Sequence, residues 1–302
     1  MPRQMESQTA SPSIVALTAS FISERRYLQN VSPKTLEWYK NSFKAFEPYL
    51  STVSDQSGLR SAVRKAVMEM SEAGKLSPTS INDYARCVNA FLKWMKDEGH
   101  ISESVKIPKI KAPEKIPTLL SDSQVTGLIR YKPKKRIERR VHTMALVILD
   151  TGMRVDEVAH IRKQDVDLDN LLVTVQKAKG GKQRIVPISL ALRRTLFLYM
   201  KTEPHPMSEF VFSTRDGMPQ TYRNAHRQLK LIGSRVGAPG VRFHLLRHQW
   251  ATHYLRSGGS VALLRRQLGH SSLETTLFYE HLATGDLSKV HERHSLLAST
   301  NL

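Results

Sequence analysis

The sequence has almost no cysteine: Cys87 is the only one in 302 residues. A single thiol excludes an internal disulfide framework and a zinc site built on paired cysteines, and we expect Cys87 to be a small buried apolar side chain. No apolar run approaches the roughly 18 residues that indicate a membrane-spanning helix. The polar residues 1–11 lack the apolar segment of a secretory signal. These absences predict a cytoplasmic protein without a membrane partner.

Acidic residues are also scarce. There are 27 Asp and Glu against 46 Lys and Arg, which gives a formal net charge of +19 and an isoelectric point near 10.1. Such an excess of positive charge points to a polyanionic partner, and with the membrane disfavoured we expect that partner to be nucleic acid. A length of 302 residues is about twice that of a usual domain, so two domains are predicted.

The first hundred residues predict helices only. Ser32-Pro33 and Ser77-Pro78 each put serine at a helix N-cap and proline at the first helical position. Apolar residues then follow at three- and four-residue spacing, as in an amphipathic helix. We therefore expect a flexible N-terminus at 1–12 and a helical domain at 13–104.

Prolines and lysines dominate residues 105–118, which we interpret as a basic linker with few side chains to bury. We expect its lysines to contact DNA, namely Lys106, Lys109 and Lys111. A second domain is predicted at 119–284, where the basic stretch 130–140 is either a solvated loop or a DNA backbone contact.

A β-hairpin is predicted within the second domain. Leu172–Val175 and Arg184–Ile188 are β-branched runs, and Lys179–Lys182 between them has the glycines of a tight turn. Helices are predicted before and after it. We expect Lys182 and Arg184 to contact DNA.

Six residues of the second domain carry groups able to act on a phosphodiester: Arg154, Lys179, His244, Arg247, His270 and Tyr279. A guanidinium is always charged and donates two hydrogen bonds in one plane, so Arg154 and Arg247 suit a clamp on the non-bridging phosphate oxygens. Glu157 follows Arg154 by three residues, and is either a carboxylate that holds that guanidinium or a surface helix ion pair.

Two further roles concern proton transfer. His244 lies three residues before Arg247, on one side of a predicted helix, and a histidine can accept the proton of a phenol such as Tyr279. Its alternative is a buried histidine of structural role. Lys179 is expected to protonate the leaving 5′ oxygen, with Lys182 as its rival. A metal shared by His244 and His248 lacks a third ligand, so no metal site is predicted.

Five segments, taken in order, resemble the sequence boxes of the tyrosine recombinase family, also called the phage integrase family. They are Thr151–Val158, Lys179–Ile188, His244–His248, Leu268–Ser272 and Thr275–Tyr279. The resemblance extends from about Leu119 to His281, and a weaker one makes the N-terminal part similar to the family's core-binding domain.

The resemblance implies a mainly α fold of the α+β kind, with a helical core-binding domain and a mostly helical catalytic domain that carries a small antiparallel β-sheet. It implies site-specific strand exchange in double-stranded DNA through a 3′-phosphotyrosyl link on Tyr279, with no metal and no nucleotide cofactor. It implies four subunits on two paired sites. Because the substrate is DNA, we also expect a cytoplasmic enzyme at the nucleoid. His270 is then expected to face the phosphate from behind Gly269.

Two other functions stay open at the level of sequence. A type IB topoisomerase-like enzyme would use nearly the same groups but rejoin the original strand. A non-catalytic regulator would use Ser260–Leu277 as a helix-turn-helix, but this leaves Arg154, Lys179 and Tyr279 unexplained. The tail, 285–302, has apolar residues at nearly helical spacing, and is expected either to fold back on its own core or to dock on the next protomer.

Overall fold

A computed structural model describes residues 13–53, 56–113, 118–176, 183–202 and 205–269. The chain forms two compact units, Met1–Lys115 and Ile116–Leu302. The described part of the first unit is entirely helical apart from its connections. Its helices are α1 (Ile14–Tyr27), α2 (Pro33–Leu50), α3 (Gln56–Glu72) and α4 (Pro78–Asp97).

The serine caps predicted for α2 and α4 are confirmed. Ser32 Oγ accepts a hydrogen bond from the Thr35 amide, and Ser77 Oγ accepts one from the Ser80 amide, each at 3.2 Å. The apolar faces of α1, α2 and α4 meet in an aromatic cluster around Phe21, whose ring makes edge-to-face contacts with its neighbours. Cys87 is buried in this core, as predicted.

Helix α3 was not predicted individually. Its buried face consists of Leu59, Val63 and Ala66, which follow each other at helical spacing. No Ser-Pro pair precedes the helix, and its buried face has no aromatic residue, so α3 lacks the start signal of α2 and α4 and has only the apolar spacing.

Residues 105–110, which we call the strap, differ from the solvated linker expected there. Val105 and Ile107 are buried in the core of the first unit. Asn89 accepts from the Ile107 amide at 2.7 Å and donates to the Ile107 carbonyl at 3.0 Å. Asn82 does the same with Ile110, at 2.8 and 2.9 Å. The strap is therefore fixed along α4, because two asparagine side chains satisfy its backbone.

The second unit is built around α6 (Arg136–Thr151), whose buried side chains form much of the hydrophobic core. Its other helices are α5 (Asp122–Arg130), α7 (Val155–Ala159), α8 (Leu190–Thr202), α9 (Tyr222–Arg235), α10 (Phe243–Arg256) and α11 (Val261–Leu268). Half of the basic stretch 130–140 belongs to the first turns of α6. In the first turn of α6, the hydrogen bond from Arg235 lowers the pKa of the buried Glu138 to about 2. Burial acts in the opposite direction, and two backbone amides add to the lowering.

A three-stranded antiparallel sheet in the order β1-β2-β3 completes this unit, with β1 at Val166–Asp167, β2 at Leu172–Val175 and β3 at Arg184–Pro187. Val173 pairs with Val186 and Val175 pairs with Arg184, so the predicted hairpin strands are confirmed. The turn between them, 177–182, lies outside the described residues. A mostly helical chain with a small antiparallel sheet is the fold class that the sequence predicted.

Candidate active site

Arg154 lies in the tight connection between α6 and α7. Helix α6 ends at Gly152, which has a left-handed φ of 68°, and a Cβ at this position would lie 2.2 Å from Trp250 Cε3. Only glycine fits both the backbone and the indole above it. The chain then turns so that Arg154 is the N-cap residue of α7.

Arg247 reaches the same connection from α10. Only 4 % of this residue is exposed. Its Nη1 donates to the Gly152 carbonyl at 2.7 Å and its Nη2 to the Leu268 carbonyl at 3.0 Å. The end of α6 and the end of α11 are therefore joined through one buried guanidinium.

The two arginines converge. Arg154 Nη1 donates to the Leu268 carbonyl at 3.3 Å, the same oxygen that accepts from Arg247. The Arg154 side chain is 39 % exposed, and within the described ranges its Nε and Nη2 have no acceptor. Two adjacent guanidiniums, one of them partly exposed, are chemically suited to donate paired hydrogen bonds to two oxygens of an anion such as phosphate.

Glu157 holds Arg154 from below. Its Oε2 accepts from the Arg154 amide at 2.8 Å, and its Oε1 accepts from Arg154 Nη1 at 3.2 Å. Burial would raise the pKa of Glu157, but the hydrogen bonds and charges of Arg184 and Arg154 outweigh it and hold this pKa below the ordinary value. The carboxylate is therefore ionised at neutral pH and is buried, unlike that of a surface ion pair.

Arg184 corrects the expectation of a DNA contact. Its side chain, at the start of β3, is only 13 % exposed. Nη1 and Nη2 donate to the two oxygens of Glu157 at 2.9 and 2.7 Å, and Nε donates to the Gln267 carbonyl at 2.8 Å. Because these bonds occupy its whole guanidinium edge, Arg184 faces the protein and not a ligand.

His244 and His248 occupy successive turns of α10. Partial burial, and then the positive charges of Arg247 and Arg154, lower the pKa of His244. Burial, His244 and Arg247 together lower the pKa of His248 to about 4. Both rings are therefore neutral near pH 7, and a neutral ring can accept a proton.

Four predicted site residues lie outside the described residues: Lys179, Lys182, His270 and Tyr279. The described chain ends directly before His270 with Gly269, which terminates α11 in the left-handed conformation expected of it, at φ 64°. Leu268, the residue on which both arginines converge, is thus two positions from His270 in the chain.

A basic groove lies within the first unit, between α3, α4 and the strap, with a volume of about 1180 Å³. It is lined by five cationic residues, Arg60, Arg64, Arg86, Lys106 and Lys109, and by the carboxylate of Asp83. Lys106, Lys109 and Lys111 are exposed. The sequence identified the lysines of this groove but missed Asn82 and Asn89, which fix the strap and carry no recognisable sequence signal.

No described helix is long and apolar enough to cross a bilayer. Nor does this part of the chain bring three His, Cys, Asp or Glu side chains together as ligands for one ion.

Comparison with known proteins agrees with this geometry. The model of the phage integrase family matches residues 118–285. Tyrosine recombinase XerA of Pyrococcus furiosus is 30% identical over 85% of this chain and 89% of its own, and XerC of Xanthomonas campestris is 28% identical over 90% and 86%. The Tn1549 transposon integrase, solved with circular intermediate DNA, shares the fold with a TM-score of 0.77 at 17% identity, over 92% of this chain and 99% of that one. This chain therefore belongs to the phage integrase family, the family of the tyrosine recombinases.

Proposed function

We propose that this protein cuts and rejoins double-stranded DNA at specific sites, exchanging strands between two duplexes. The observation that carries the proposal is the convergence of Arg154 and Arg247 on the Leu268 carbonyl. Two guanidiniums at one point are suited to the charge that develops on the non-bridging oxygens of a phosphate under attack. Family membership supports the same reaction.

The proposed chemistry is a pair of transesterifications. The Tyr279 oxygen attacks the scissile phosphorus, a 3′-phosphotyrosyl bond forms, and the bond to the 5′ oxygen breaks. That oxygen takes a proton from Lys179, with Lys182 as the alternative donor. The 5′ hydroxyl of another strand then attacks the phosphotyrosine and releases Tyr279. The bond energy is conserved in the covalent link, so no cofactor is needed.

The histidines have separate proposed roles. His244 accepts the Tyr279 proton, which its lowered pKa favours because the ring is neutral before the reaction. His270 contacts the phosphate next to the two arginines. Glu157 orients Arg154 through its backbone and side chain.

We assign DNA binding to both domains. The core-binding domain, 13–104, and the linker, 105–118, offer the basic groove, in which Lys106 and Lys109 face the duplex backbone together with Lys111 beyond it. The catalytic domain, 119–284, adds Lys182 at the hairpin turn. The solved DNA complex of a protein with the same fold supports this assignment.

The proposed working unit is a tetramer on two paired sites. The tail, 285–302, would dock on the next protomer and couple neighbouring active sites around a closed ring. Such an assembly would act in the cytoplasm at the nucleoid, where its substrate lies.

A nicked suicide substrate tests the proposal. Cleavage next to the nick releases a short fragment that carries the 5′ hydroxyl. Because this hydroxyl is lost, religation is blocked and the covalent adduct accumulates. We expect wild-type protein to form an adduct and to exchange strands between two site-bearing duplexes, and Tyr279→Phe to bind the same DNA without any adduct. Adduct in that variant would overturn the nucleophile assignment, and supercoil relaxation without exchange would favour a topoisomerase.

A further inference from the structure

Arg184 and Glu157 form a buried bidentate ion pair that the proposed chemistry does not use. The two oxygens of Glu157 accept from Arg184 Nη1 and Nη2 at 2.9 and 2.7 Å, and only 2 % of the Glu157 side chain is exposed. Parallel bonds of this length are the strong geometry for guanidinium and carboxylate. Glu157 is therefore primarily the partner of Arg184.

Arg154 binds the same carboxylate through a longer side-chain hydrogen bond than those of Arg184. It makes one longer side-chain bond, from Nη1 to Glu157 Oε1 at 3.2 Å, and a bond from its backbone amide at 2.8 Å. One negative charge thus faces two positive charges, and the pair closest to it is the one with Arg184. The net charge left over is that of Arg154, whose free edge faces solvent.

Arg184 also fixes the backbone beneath the site. Its Nε donates to the Gln267 carbonyl at 2.8 Å, one residue before the Leu268 carbonyl that accepts from Arg154 and Arg247. A Cβ at Gly269 would lie 3.1 Å from Arg184 Nη1, so the guanidinium lies directly against this turn. In the strand register Arg184 pairs with Val175, the last residue of β2.

From this arrangement we infer that Arg184 is a positioning residue for the arginine clamp. It saturates Glu157, so that Glu157 orients Arg154 without neutralising it, and it holds the 267–269 backbone in place. If Arg184 is removed, the buried carboxylate has one cation left and draws the Arg154 guanidinium inward, away from the phosphate. This inference rests on the proposed role of Arg154 at the phosphate.

The test uses the full-length chain and the nicked suicide substrate, with the cleavage rate measured at saturating DNA and the affinity measured separately. Loss of the outer partner that orients a metal ligand typically costs about 10- to 100-fold in activity, and we take this as the scale for an outer partner of Arg154. We expect Arg184→Ala to lower the cleavage rate by about that factor while the dissociation constant for DNA changes little. Arg193→Ala, which removes an exposed cation paired with Asp169, is the control for loss of one charge and should cleave at the wild-type rate.

A double variant separates positioning from simple structural support. Glu157→Gln removes the charge that draws Arg154 inward, so Arg184→Ala combined with Glu157→Gln should cleave faster than Arg184→Ala. Any rate deficit that remains relative to Glu157→Gln alone measures the contribution of the Arg184 bond to the Gln267 carbonyl. All rates are compared at a temperature where thermal unfolding shows each variant folded. A double variant as slow as Arg184→Ala overturns the inference, as does wild-type cleavage by Arg184→Ala. Failure of the proposed function is a different result, namely no adduct and no strand exchange by the wild-type protein.

Discussion

Arg154 and Arg247 donate to one and the same acceptor, the carbonyl oxygen of Leu268, at 3.3 and 3.0 Å. Arg247 is the buried member of this pair and Arg154 the exposed one. The buried arginine also ties two helix ends together, whereas the Nε and Nη2 of the exposed one have no acceptor among the described residues. The two therefore make separable predictions for cleavage and for stability.

We expect Arg154→Ala and Arg247→Ala each to lower cleavage by about 10²- to 10³-fold, the usual cost of losing one preorganised donor to a developing oxyanion. Arg247→Ala should also lower the melting temperature, because it leaves the Gly152 and Leu268 carbonyls without this donor. Arg162→Ala, which removes an exposed arginine paired with Glu209, is the control for loss of one charge. Single-turnover cleavage within a few-fold of wild type for either alanine variant would show that the clamp lies elsewhere.

The pH dependence of cleavage follows from His244. The neutral ring is the active form, so the rate should fall as pH drops through the pKa of His244, and this pKa lies below the ordinary value of about 6.5. We therefore expect the midpoint of this decline to lie below pH 6.5. His248, with a pKa of about 4, stays neutral in this range.

The comparison for this profile is His244→Gln, which should be slower at every pH and lose the acid decline. An acid limb centred above pH 6.5, or one that persists in His244→Gln, would assign the titrating group to another residue.

For the hairpin turn we expect Lys179→Ala to lower cleavage far more than Lys182→Ala. A 5′-bridging phosphorothiolate should restore cleavage by Lys179→Ala, because a thiolate leaves without being protonated. Lys182→Ala on the same two substrates is the matched control. Sulfur rescue of Lys182→Ala instead would exchange the roles of the two lysines.

The strap makes a prediction about DNA affinity. Without Asn82 and Asn89 the strap loses its attachment to α4, and Lys106 and Lys109 lose their fixed positions. We expect the double alanine variant of these asparagines to bind DNA more weakly, with the slope of log affinity against log salt reduced by about 1.8, or about 0.9 for each lost phosphate contact.

A double-mutant cycle checks this. Lys106→Ala with Lys109→Ala should reduce the slope by the same amount, and the two asparagine substitutions should add nothing further in that background. Additive losses would mean that the asparagines act on DNA by a route other than these lysines.

For the tail we expect truncation after Thr284 to leave single-site binding in gel-shift assays near the wild-type level and to abolish the synaptic complex and recombination. Normal synapsis by the truncated chain would mean that residues 285–302 cover their own protomer. Loss of single-site binding would mean that the tail is needed for folding.

The sequence predicted the elements whose signals are local. Ser32 and Ser77 cap their helices through residues three positions away, and the strands of the hairpin are β-branched runs that pair with each other. The family boxes likewise predicted Arg154, His244 and Arg247 as residues of one site, and the structure brings the two arginines to one carbonyl. Their protonation and exposure depend on burial, which no box encodes.

What the sequence could not give are contacts between distant segments. From the sequence, Arg184 is interpreted as a further cation of a DNA-binding hairpin, because it follows Lys179 and Lys182. In the structure its partners are Glu157 of α7 and Gln267 of α11. Asn82 and Asn89 read as polar positions of an amphipathic helix, and their backbone partners lie beyond the end of that helix. Such pairings depend on tertiary packing, which composition and periodicity do not determine.

Asn82 and Asn89 also fix the register of the strap along α4. Seven residues of α-helix from Asn82 to Asn89 rise about 10.5 Å, and three extended residues from Ile107 to Ile110 span about 10 Å. Because these two lengths match, both asparagines can bind the strap at the same time only in this pairing. The lengths of two stretches of chain therefore decide where Lys106 and Lys109 stand. Adding or deleting one residue between Ile107 and Ile110 would break one of these two pairings without changing a single charged side chain. The spacing of this segment is then as much a part of the proposed DNA-binding surface as its lysines.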